Sequence, residues 1–537
     1  MPPSQHPQHR LASIILTVLF ILAFSLRVWG MREKGLFLHD EADIMLRVRT
    51  YVTLAKVLPH AVALWWQGDV SALRAFSYEA FPSGFFPSFS ALPAHIVPGV
   101  IIALIFGEHD WTLVLWNAFL GALTVLAAYL LIWRLSRNRV VAVMGAALLA
   151  LSPYHVLYSR TAHAQISAGF FFTLAVFLYI ESFYATERTR YRFLFFAGIS
   201  LALMVSSHYG TLPILFFFGC LELIVSMVYF RSESAGRWGV LAIGVAMPFL
   251  FFQAFLSFRE NILVRAGYDL RDVQSYTGEV IEMTRSAVDV SLGAERSWPE
   301  PFYFFDLIQY AHGWMFALLF GASSLLVVVA IKRRSLELGV FLWLTWIPLI
   351  FYSLLYVQAP RRFVVCLPIA VVAIALLLDH LWAAYISRKH LATAIMLAIG
   401  VFMIGSRLPQ LKNAITLRSP YPQAATALKK IQDTRSIVAI PWPLYQYYGN
   451  MRIDSTALLA NPSQPIMLVD DYAGLNISEA LAAEKGRVPF LQLPNPVGSN
   501  YFLLRDMLST YSQKDILRMV EYPDPRVTSI RFYDITP

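Results

Sequence analysis

The sequence predicts an all-α polytopic membrane protein that carries a small α/β domain at its C-terminal end. Of the 537 residues, 57% are hydrophobic and only 14% are charged, and the mean hydropathy is +0.56. A water-soluble domain does not need so apolar a composition. Long apolar runs recur through residues 1–407, whereas residues 408–537 mix polar and apolar positions with turn residues. We therefore expect a transmembrane domain over 1–407 and an extracytoplasmic domain over 408–537.

The apolar runs are of the length that crosses a bilayer as a helix. They predict about eleven spans, with twelve or thirteen left open, at approximately 11–30, 112–133, 139–158, 164–184, 193–207, 211–230, 237–257, 311–331, 337–357, 362–385 and 391–407.

Charge between the runs orients them. Short basic segments are typical of cytoplasmic loops, and five of them alternate with the other connections, at residues 134–139, 187–192, 231–237, 332–334 and 387–390. The N-terminus is then inside, and two large segments, about 31–111 and about 258–310, are outside. We attribute the net charge of +9 to these clusters and expect no nucleic-acid partner.

Two features refine this topology. Residues 92–107 are apolar but short and contain Pro93 and Pro98, so we expect an interfacial or re-entrant helix inside the first outer loop. The two cysteines, Cys220 and Cys366, lie inside apolar runs, which favours neither a disulfide framework nor a zinc site.

The C-terminal region has the sequence pattern of a small α/β domain. Residues 436–440 and 466–469 are short apolar runs that predict buried strands, while residues 421–431 and 478–485 have helical patterns. No phosphate-binding loop, nucleophile elbow or metal-ligand spacing occurs there. We therefore look for the chemistry elsewhere.

Three acids follow the first span closely, at Asp40, Glu41 and Asp43. An ionised carboxylate is costly in hydrocarbon, so this cluster must face water or a polar cavity. Catalysis is one interpretation. The other is local: residues 41–58 have the pattern of an amphipathic helix, which Asp40 would cap and whose first turn would hold Glu41 and Asp43.

Four features occur in a suggestive order along the chain. Asp40-Glu41 follows the first span; Phe106-Gly107 precedes a span that ends at Arg134; a Ser-Pro segment, residues 152–160, ends in Arg160; and residues 360–368 run from Pro-Arg-Arg to Pro. In this order they resemble GT-C-type integral-membrane glycosyltransferases, in the branch of protein O-mannosyltransferases and lipid A aminoarabinose transferases.

The resemblance implies inverting transfer of a sugar from a polyprenyl phosphate to an acceptor hydroxyl, at the periplasmic or extracellular face of a bacterial inner membrane. The acceptor would be a glycan, a lipid or a protein, and the bilayer itself is a partner. Asp40 would be the general base, with Glu41 beside it. The departing phosphate needs cations, and the chain has no lysine between Lys56 and Lys332.

Arginines are therefore the candidate phosphate ligands, namely Arg160, Arg265, Arg271, Arg361 and Arg362. Further polar groups at outer span ends could complete the site, namely Asp43, His163, Gln165, His208 and Tyr209. Arg160 could equally be a snorkelling anchor, and the two histidines could be satisfied interfacial groups.

The chain also departs from this family at Gln165, where relatives commonly carry an aspartate. The departure removes a second acid, so no cofactor is certain and a divalent metal stays open. Two other classes share the topology. A transporter would use ionisable residues inside spans, for which Glu222 and Glu181 are the candidates, and a polysaccharide polymerase or ligase would lack the base at Asp40.

Overall fold

The computed structural model describes residues 6–72, 75, 92–265, 278, 280–281, 285, 308–310, 312–353, 360–385, 389–431, 436–440, 442–449, 466–470, 488–507, 513–522 and 525–535. Over these ranges the protein is mostly helical. Eight helices are long and apolar enough to cross a membrane, and a bent pair adds a ninth if it is one span. The polytopic membrane fold is confirmed.

Fifteen helices form the N-terminal part within these described ranges. They are α1 (His6–Val28), α2 (His39–Gln67), α3 (Pro93–Phe106), α4 (Thr112–Ser136), α5 (Arg139–Ala150), α6 (Pro153–Ser159), α7 (Gln165–Tyr184), α8 (Glu187–Ser207), α9 (Leu212–Tyr229), α10 (Ser234–Arg265), α11 (Trp314–Ala322), α12 (Leu326–Arg333), α13 (Leu336–Ser353), α14 (Pro360–Tyr385) and α15 (Lys389–Gly405).

Each predicted span contains a helix, but two of them fall outside the eight or nine candidates. These are α8, whose first turns are rich in charge, and α15, which has only 17 residues. The predicted span 139–158 is the bent pair α5 and α6, which meet at 57°. Pro153 starts α6, and the Ser152 hydroxyl caps it by accepting the His155 N–H at 3.1 Å. The Ser-Pro dipeptide thus ends one helix and begins the next.

Helix α3 covers the predicted interfacial segment. Its 14 residues extend only about 21 Å at 1.5 Å per residue, which is shorter than the hydrocarbon core. Gly99 lets it approach its neighbours, because a Cβ there would lie 2.5 Å from the Leu113 side chain and 3.3 Å from that of Val48. The helix therefore packs closely between α2 and α4.

Helix α14 is the centre of the bundle. In its most apolar 18-residue stretch, 83% is buried inside the protein, compared with 17% of the corresponding stretch for α1 and 22% for α10. Helices α4 and α7 pack against it. Because α14 is central, the residues of its first turn lie in the middle of one end of the bundle, where other helices also begin and end.

The C-terminal part contains short helices and one sheet. The helices are Leu408–Thr416, Tyr421–Ile431, Trp442–Gly449, Tyr501–Met507, Gln513–Glu521 and Pro525–Thr528, and the strands are β1 (Ser436–Ile440), β2 (Ile466–Asp470), β3 (Leu491–Pro494) and β4 (Ser529–Ile535). The strand order is β1-β2-β4-β3, with β1 and β2 parallel and β4 antiparallel to both neighbours.

The predicted strands at 436–440 and 466–469 and the helix at 421–431 are confirmed. Strands β3 and β4 carry no comparable apolar run and were not predicted. The predicted helix at 478–485 lies outside the described residues.

The C-terminal part is docked onto the loop between α1 and α2. Ser419 donates its N–H to the Lys34 carbonyl at 2.7 Å and its hydroxyl to the Leu36 carbonyl at 2.5 Å. The Tyr448 hydroxyl accepts the Leu36 N–H at 2.7 Å and donates to Asp110 at 2.9 Å. These contacts fix the chain just before α2 begins.

Candidate active site

The first turn of α2 separates two neighbouring acids. Glu41 is fully buried, and its carboxylate accepts the N–H groups of Phe37 at 2.6 Å, Leu38 at 3.0 Å and Ala162 at 2.6 Å. It therefore ties the start of α2 to the turn before α7, as a first-turn helix acid does. Asp40 projects elsewhere and is 38% exposed.

Asp40 does not cap α2, because the N-cap residue is Leu38. Its Oδ2 lies 2.5 Å from Nη1 of Arg361, and its Oδ1 lies 2.8 Å from Nδ1 of His39. Burial acts to raise the pKa of Asp40, but the Arg361 charge and the His39 hydrogen bond outweigh burial and hold it well below its usual range. The pKa of His39 is raised in turn by Asp40. Asp40 is therefore an ionised carboxylate with a cation on one side.

Arg361 lies in the first turn of α14 and is held by the C-terminal part. Its backbone N–H donates to Asp506 Oδ1 at 3.2 Å, and the Tyr158 hydroxyl donates to the other oxygen of Asp506. Burial raises the pKa of Asp506 to about 6. Asp506 was missed by the sequence analysis, since nothing in the spacing of residues 501–507 marks it.

A cavity of about 290 Å³ lies between the start of α2 and the start of α14. It brings together most of the predicted polar site residues, which are Asp40, Asp43, His163, Gln165, His208, Tyr209, Arg361 and Arg362. His39 and Arg47, which were not predicted, also line it, and Arg47 pairs with Asp43 at 3.0 Å. Residues far apart in sequence thus form one polar pocket.

Two histidines in this wall are buried. Burial and the neighbouring Arg361 lower the pKa of His163 and of His208 to about 3 in each case, so both rings are neutral at pH 7. His208 Nδ1 accepts the Gly210 N–H at 3.0 Å. His163 Nε2 and Gln165 Oε1 have no hydrogen-bond partner among the described residues.

The other predicted arginines lie away from the cavity or outside the described side chains. Arg160 is buried and donates to backbone carbonyls, including those of Trp29 at 2.6 Å and Ile415 at 2.8 Å. It joins the end of α1 to the C-terminal part. Arg265 ends α10, and its side chain is outside the described set; Arg271 lies outside the described residues.

Each of the two acidic residues that a transporter could use forms an ion pair with an arginine. Glu222 is fully buried and forms an ion pair with Arg237, with Oε1 2.9 Å from Nε, and Glu181 pairs with Arg134 at 2.9 Å. In the described part of the chain, no three or more His, Cys, Asp or Glu side chains form a group that could hold a metal ion. The cavity offers Asp40 and Asp43 as oxygen donors, but Arg361 and Arg47 already occupy them.

A family model described as dolichyl-phosphate-mannose-protein mannosyltransferase matches residues 101–258. No curated protein matches the sequence. The match to the family model confirms the predicted family resemblance and, with it, the prediction of a membrane glycosyltransferase.

Solved structures are similar over nearly the whole chain. ArnT from Cupriavidus metallidurans bound to undecaprenyl phosphate matches with a TM-score of 0.57 at 12% identity, covering 98% of this chain and 98% of that chain. The oligosaccharyltransferase of Archaeoglobus fulgidus in the apo form matches with a TM-score of 0.55 at 14% identity, covering 92% of this chain and 71% of that chain. At such identities the likeness establishes the fold.

Proposed function

We propose that this membrane glycosyltransferase moves a sugar from a polyprenyl phosphate to an acceptor hydroxyl, with Asp40 as general base. One observation carries the proposal: Asp40 and Arg361, a carboxylate and a cation, lie 2.5 Å apart in the wall of one polar cavity. The matched family is described by its dolichyl-phosphate donor, and undecaprenyl phosphate is bound in the similar ArnT structure. Both are polyprenyl phosphates.

The reaction needs a base and a cation close together. The acceptor hydroxyl gives its proton to the Asp40 carboxylate as its oxygen attacks the anomeric carbon. The bond from that carbon to the phosphate oxygen breaks, and the electron pair leaves with the polyprenyl phosphate. Arg361 and Arg362 neutralise this anion, and the N-terminus of α14 adds a favourable dipole. A single displacement inverts the anomeric configuration.

The ion pair with Arg361 also determines when Asp40 can act as a base. With Arg361 beside it, the pKa of Asp40 is too low for an effective base. A donor phosphate that draws the guanidinium of Arg361 toward itself weakens this hold. The pKa of Asp40 then rises in the presence of the donor, when the base is needed.

The proposed topology has about eleven spans, with the cavity on the periplasmic side of a bacterial inner membrane. The short basic segments at 134–139, 187–192 and 332–334 support it, because such loops stay in the cytoplasm. The C-terminal part then lies outside as well, since Asp506 contacts the cavity wall.

The test uses the purified full chain in nanodiscs with undecaprenyl-phosphate-linked labelled sugars and an envelope extract from cells that lack the protein. Asp40→Asn keeps the shape of the side chain but removes the base, so transfer falls about 10²–10⁴-fold. Glu33→Gln is the matched control, because the Glu33 carboxylate is 79% exposed and lies 3.5 Å from Nη2 of Arg418. Transfer that survives in Asp40→Asn contradicts the base assignment, and a wild-type protein without transfer contradicts the function.

A further inference from the structure

One face of α2 carries a polar region followed by an apolar one. Asp40, Asp43 and Arg47 line the cavity, and residues 51–58 line a separate groove of about 210 Å³. Spacings of three, four and seven residues put these side chains on one side of the helix. At 1.5 Å per residue, Arg47 lies about 10 Å beyond Asp40, and Tyr51 begins the groove about 6 Å farther along. The order along the face is a carboxylate, a cation and an apolar groove.

The apolar groove is formed by residues 51–58 of α2, 97–101 of α3 and 251–255 of α10, and every side chain that lines it is aliphatic or aromatic. Leu92, which precedes α3, lines the cavity. Both α2 and α3 therefore run from the cavity to the groove. Phe255 ends the part of α10 that is apolar enough to cross a membrane, so the groove lies where a hydrocarbon chain would enter the bilayer.

Arg47 is a cation placed between the carboxylate and the groove. Its Nε lies 3.0 Å from Oδ2 of Asp43 and its Nη2 lies 3.4 Å from Oδ1, and the two side chains are 18% and 28% exposed. A guanidinium has five N–H donors and matches the oxygens of a phosphate group. An incoming phosphate can therefore compete with Asp43 for Arg47 at the cavity wall.

The charge of the cavity exceeds what the donor alone requires. Its lining has two carboxylates, three arginines and His39, whose pKa is raised by Asp40. With His39 protonated, the four cations leave a net charge of +2 over the two carboxylates. The donor supplies one singly charged phosphodiester. The remaining positive charge favours a second anionic group in the cavity.

The groove lies on the acceptor's side of the reaction. In a single displacement, the attacking oxygen and the leaving oxygen lie on opposite sides of the anomeric carbon. Helix α2 carries the base, and α14 carries Arg361 and Arg362 for the departing phosphate. Pro213 and Phe351, on α9 and α13, add apolar lining to the cavity, so the donor chain has contacts on helices other than α2.

Resting on the proposed function, we propose that the acceptor is an anionic membrane lipid whose head carries hydroxyl groups beyond its phosphate. The lipid lies along α2. A hydroxyl group of its head meets Asp40, its phosphate meets Arg47, and its hydrocarbon chain fills the apolar groove. A protein or a soluble glycan has no chain to place there.

The product of sugar transfer tests this acceptor class. The full chain in nanodiscs is incubated with a labelled undecaprenyl-phosphate sugar and an envelope extract, and chromatography removes the unused donor. We expect the label in a product that organic solvent extracts and that an anion-exchange resin retains. Label in precipitated protein overturns the lipid acceptor while supporting the proposed function. Transfer to no fraction at all is instead a failure of the proposed function.

Lipid binding tests the same face of α2 without any donor. Phosphatidylglycerol is the probe, because its head has two hydroxyl groups beyond the phosphate, and monoglucosyl diacylglycerol is the uncharged counterpart. Native mass spectrometry of the full chain in mixed micelles measures the occupancy of each lipid. We expect the wild-type protein to bind phosphatidylglycerol about tenfold more tightly than the uncharged lipid.

Two variants separate the cation from the groove. Arg47→Gln loses the preference for phosphatidylglycerol, because the charge has gone. Ala55→Trp fills the groove and weakens both lipids about tenfold. The affinity for undecaprenyl phosphate stays unchanged in both variants. Lys56→Gln and Ala63→Trp are the matched controls, because both residues are exposed on α2 and line neither the cavity nor the groove.

An unchanged affinity for phosphatidylglycerol in Arg47→Gln or in Ala55→Trp overturns this lipid site. A loss of affinity for undecaprenyl phosphate in either variant also overturns it, because the face of α2 would then hold the donor. Failure of the proposed function looks different. In that case the wild-type protein does not bind undecaprenyl phosphate itself.

Discussion

Two arginine–carboxylate pairs of this protein have similar chemistry but very different surroundings. In the membrane-spanning region, Glu222 and Arg237 are both fully buried, with Nε to Oε1 at 2.9 Å and Nη2 to Oε2 at 3.1 Å. Tyr179 and Ser226 also donate hydroxyl groups to Glu222. At the cavity, Asp40 and Arg361 are joined through Nη1 and are 38% and 26% exposed.

The difference in surroundings indicates a structural role for the first pair and a catalytic role for the second. A bidentate, buried pair whose carboxylate also accepts two hydroxyl groups has no room for a substrate, and both partners are costly to disturb. The pair at Asp40 faces a cavity, so an incoming anion can compete for Arg361. We infer that the first pair holds α9 and α10 together and that the second does the chemistry.

The largest expected effect is on stability and arises at the buried pair. Glu222→Gln leaves the Arg237 charge uncompensated in the interior, which lowers the free energy of unfolding by about 3–5 kcal/mol. Folded Glu222→Gln protein retains the wild-type turnover per molecule. Thermal unfolding in nanodiscs and transfer assays measure the two quantities.

A double variant serves as its control. Glu222→Leu with Arg237→Met replaces both charges with apolar groups, and we expect it to recover most of the lost stability. If the single and double variants are equally unstable, the charge pair is not the source of the loss.

The next effect is on catalysis, at the cavity pair. Arg361→Gln removes a cation that stabilises the departing phosphate, so transfer falls about 10²–10³-fold while the melting temperature changes little. Binding of undecaprenyl phosphate weakens in parallel. Unchanged binding of that lipid in Arg361→Gln would show that the phosphate lies elsewhere.

A smaller, pH-dependent effect comes from Asp506. Its folded pKa of about 6 is above the ordinary value of 3.8, so the folded state takes up a proton as the pH falls through 6. The neutral group holds Arg361 less firmly, and transfer falls about tenfold between pH 7 and pH 5. The free energy of unfolding moves the other way and increases, because the folded state binds more protons than the unfolded state in this window.

Asp506→Asn removes both trends, while its carboxamide oxygen can still accept the Arg361 N–H. Arg361, Asp40 and Tyr158 face this group and do not change in the variant. The His39 ring, whose pKa is raised by Asp40, still titrates and sets the remaining pH dependence. A pH profile of transfer that is identical in the two proteins would exclude Asp506 as its source.

The sequence was sufficient for eight or nine of the predicted spans and for much of the cavity, because each signal was local or followed from the predicted side of the membrane. Asp40 was found as an acid beyond the first span, and Arg361 as a basic residue on the outer side. Their contact joins residues 321 positions apart, and no periodicity reports such a pairing. It became visible only when α2 and the central α14 were packed together.

The misplaced and missed residues have physical explanations too. Arg160 was a reasonable phosphate ligand by position, but its guanidinium donates to the carbonyls of Trp29 and Ile415. Glu41 is an acid like Asp40 and follows it directly in the sequence. Successive side chains of a helix point in different directions, so the Glu41 carboxylate points into the protein, where it accepts the Phe37 N–H. The position of Asp506 depends on how the C-terminal part docks onto the helices, and the apolar runs of the sequence do not predict that docking.

The central claim is that Asp40 and the donor phosphate share Arg361, and the affinity of Asp40→Asn for undecaprenyl phosphate tests it most directly. Removing the carboxylate frees the guanidinium, so the account predicts a dissociation constant equal to or lower than that of the wild-type protein, in a variant that no longer transfers sugar. A variant that loses affinity for undecaprenyl phosphate together with activity would contradict it.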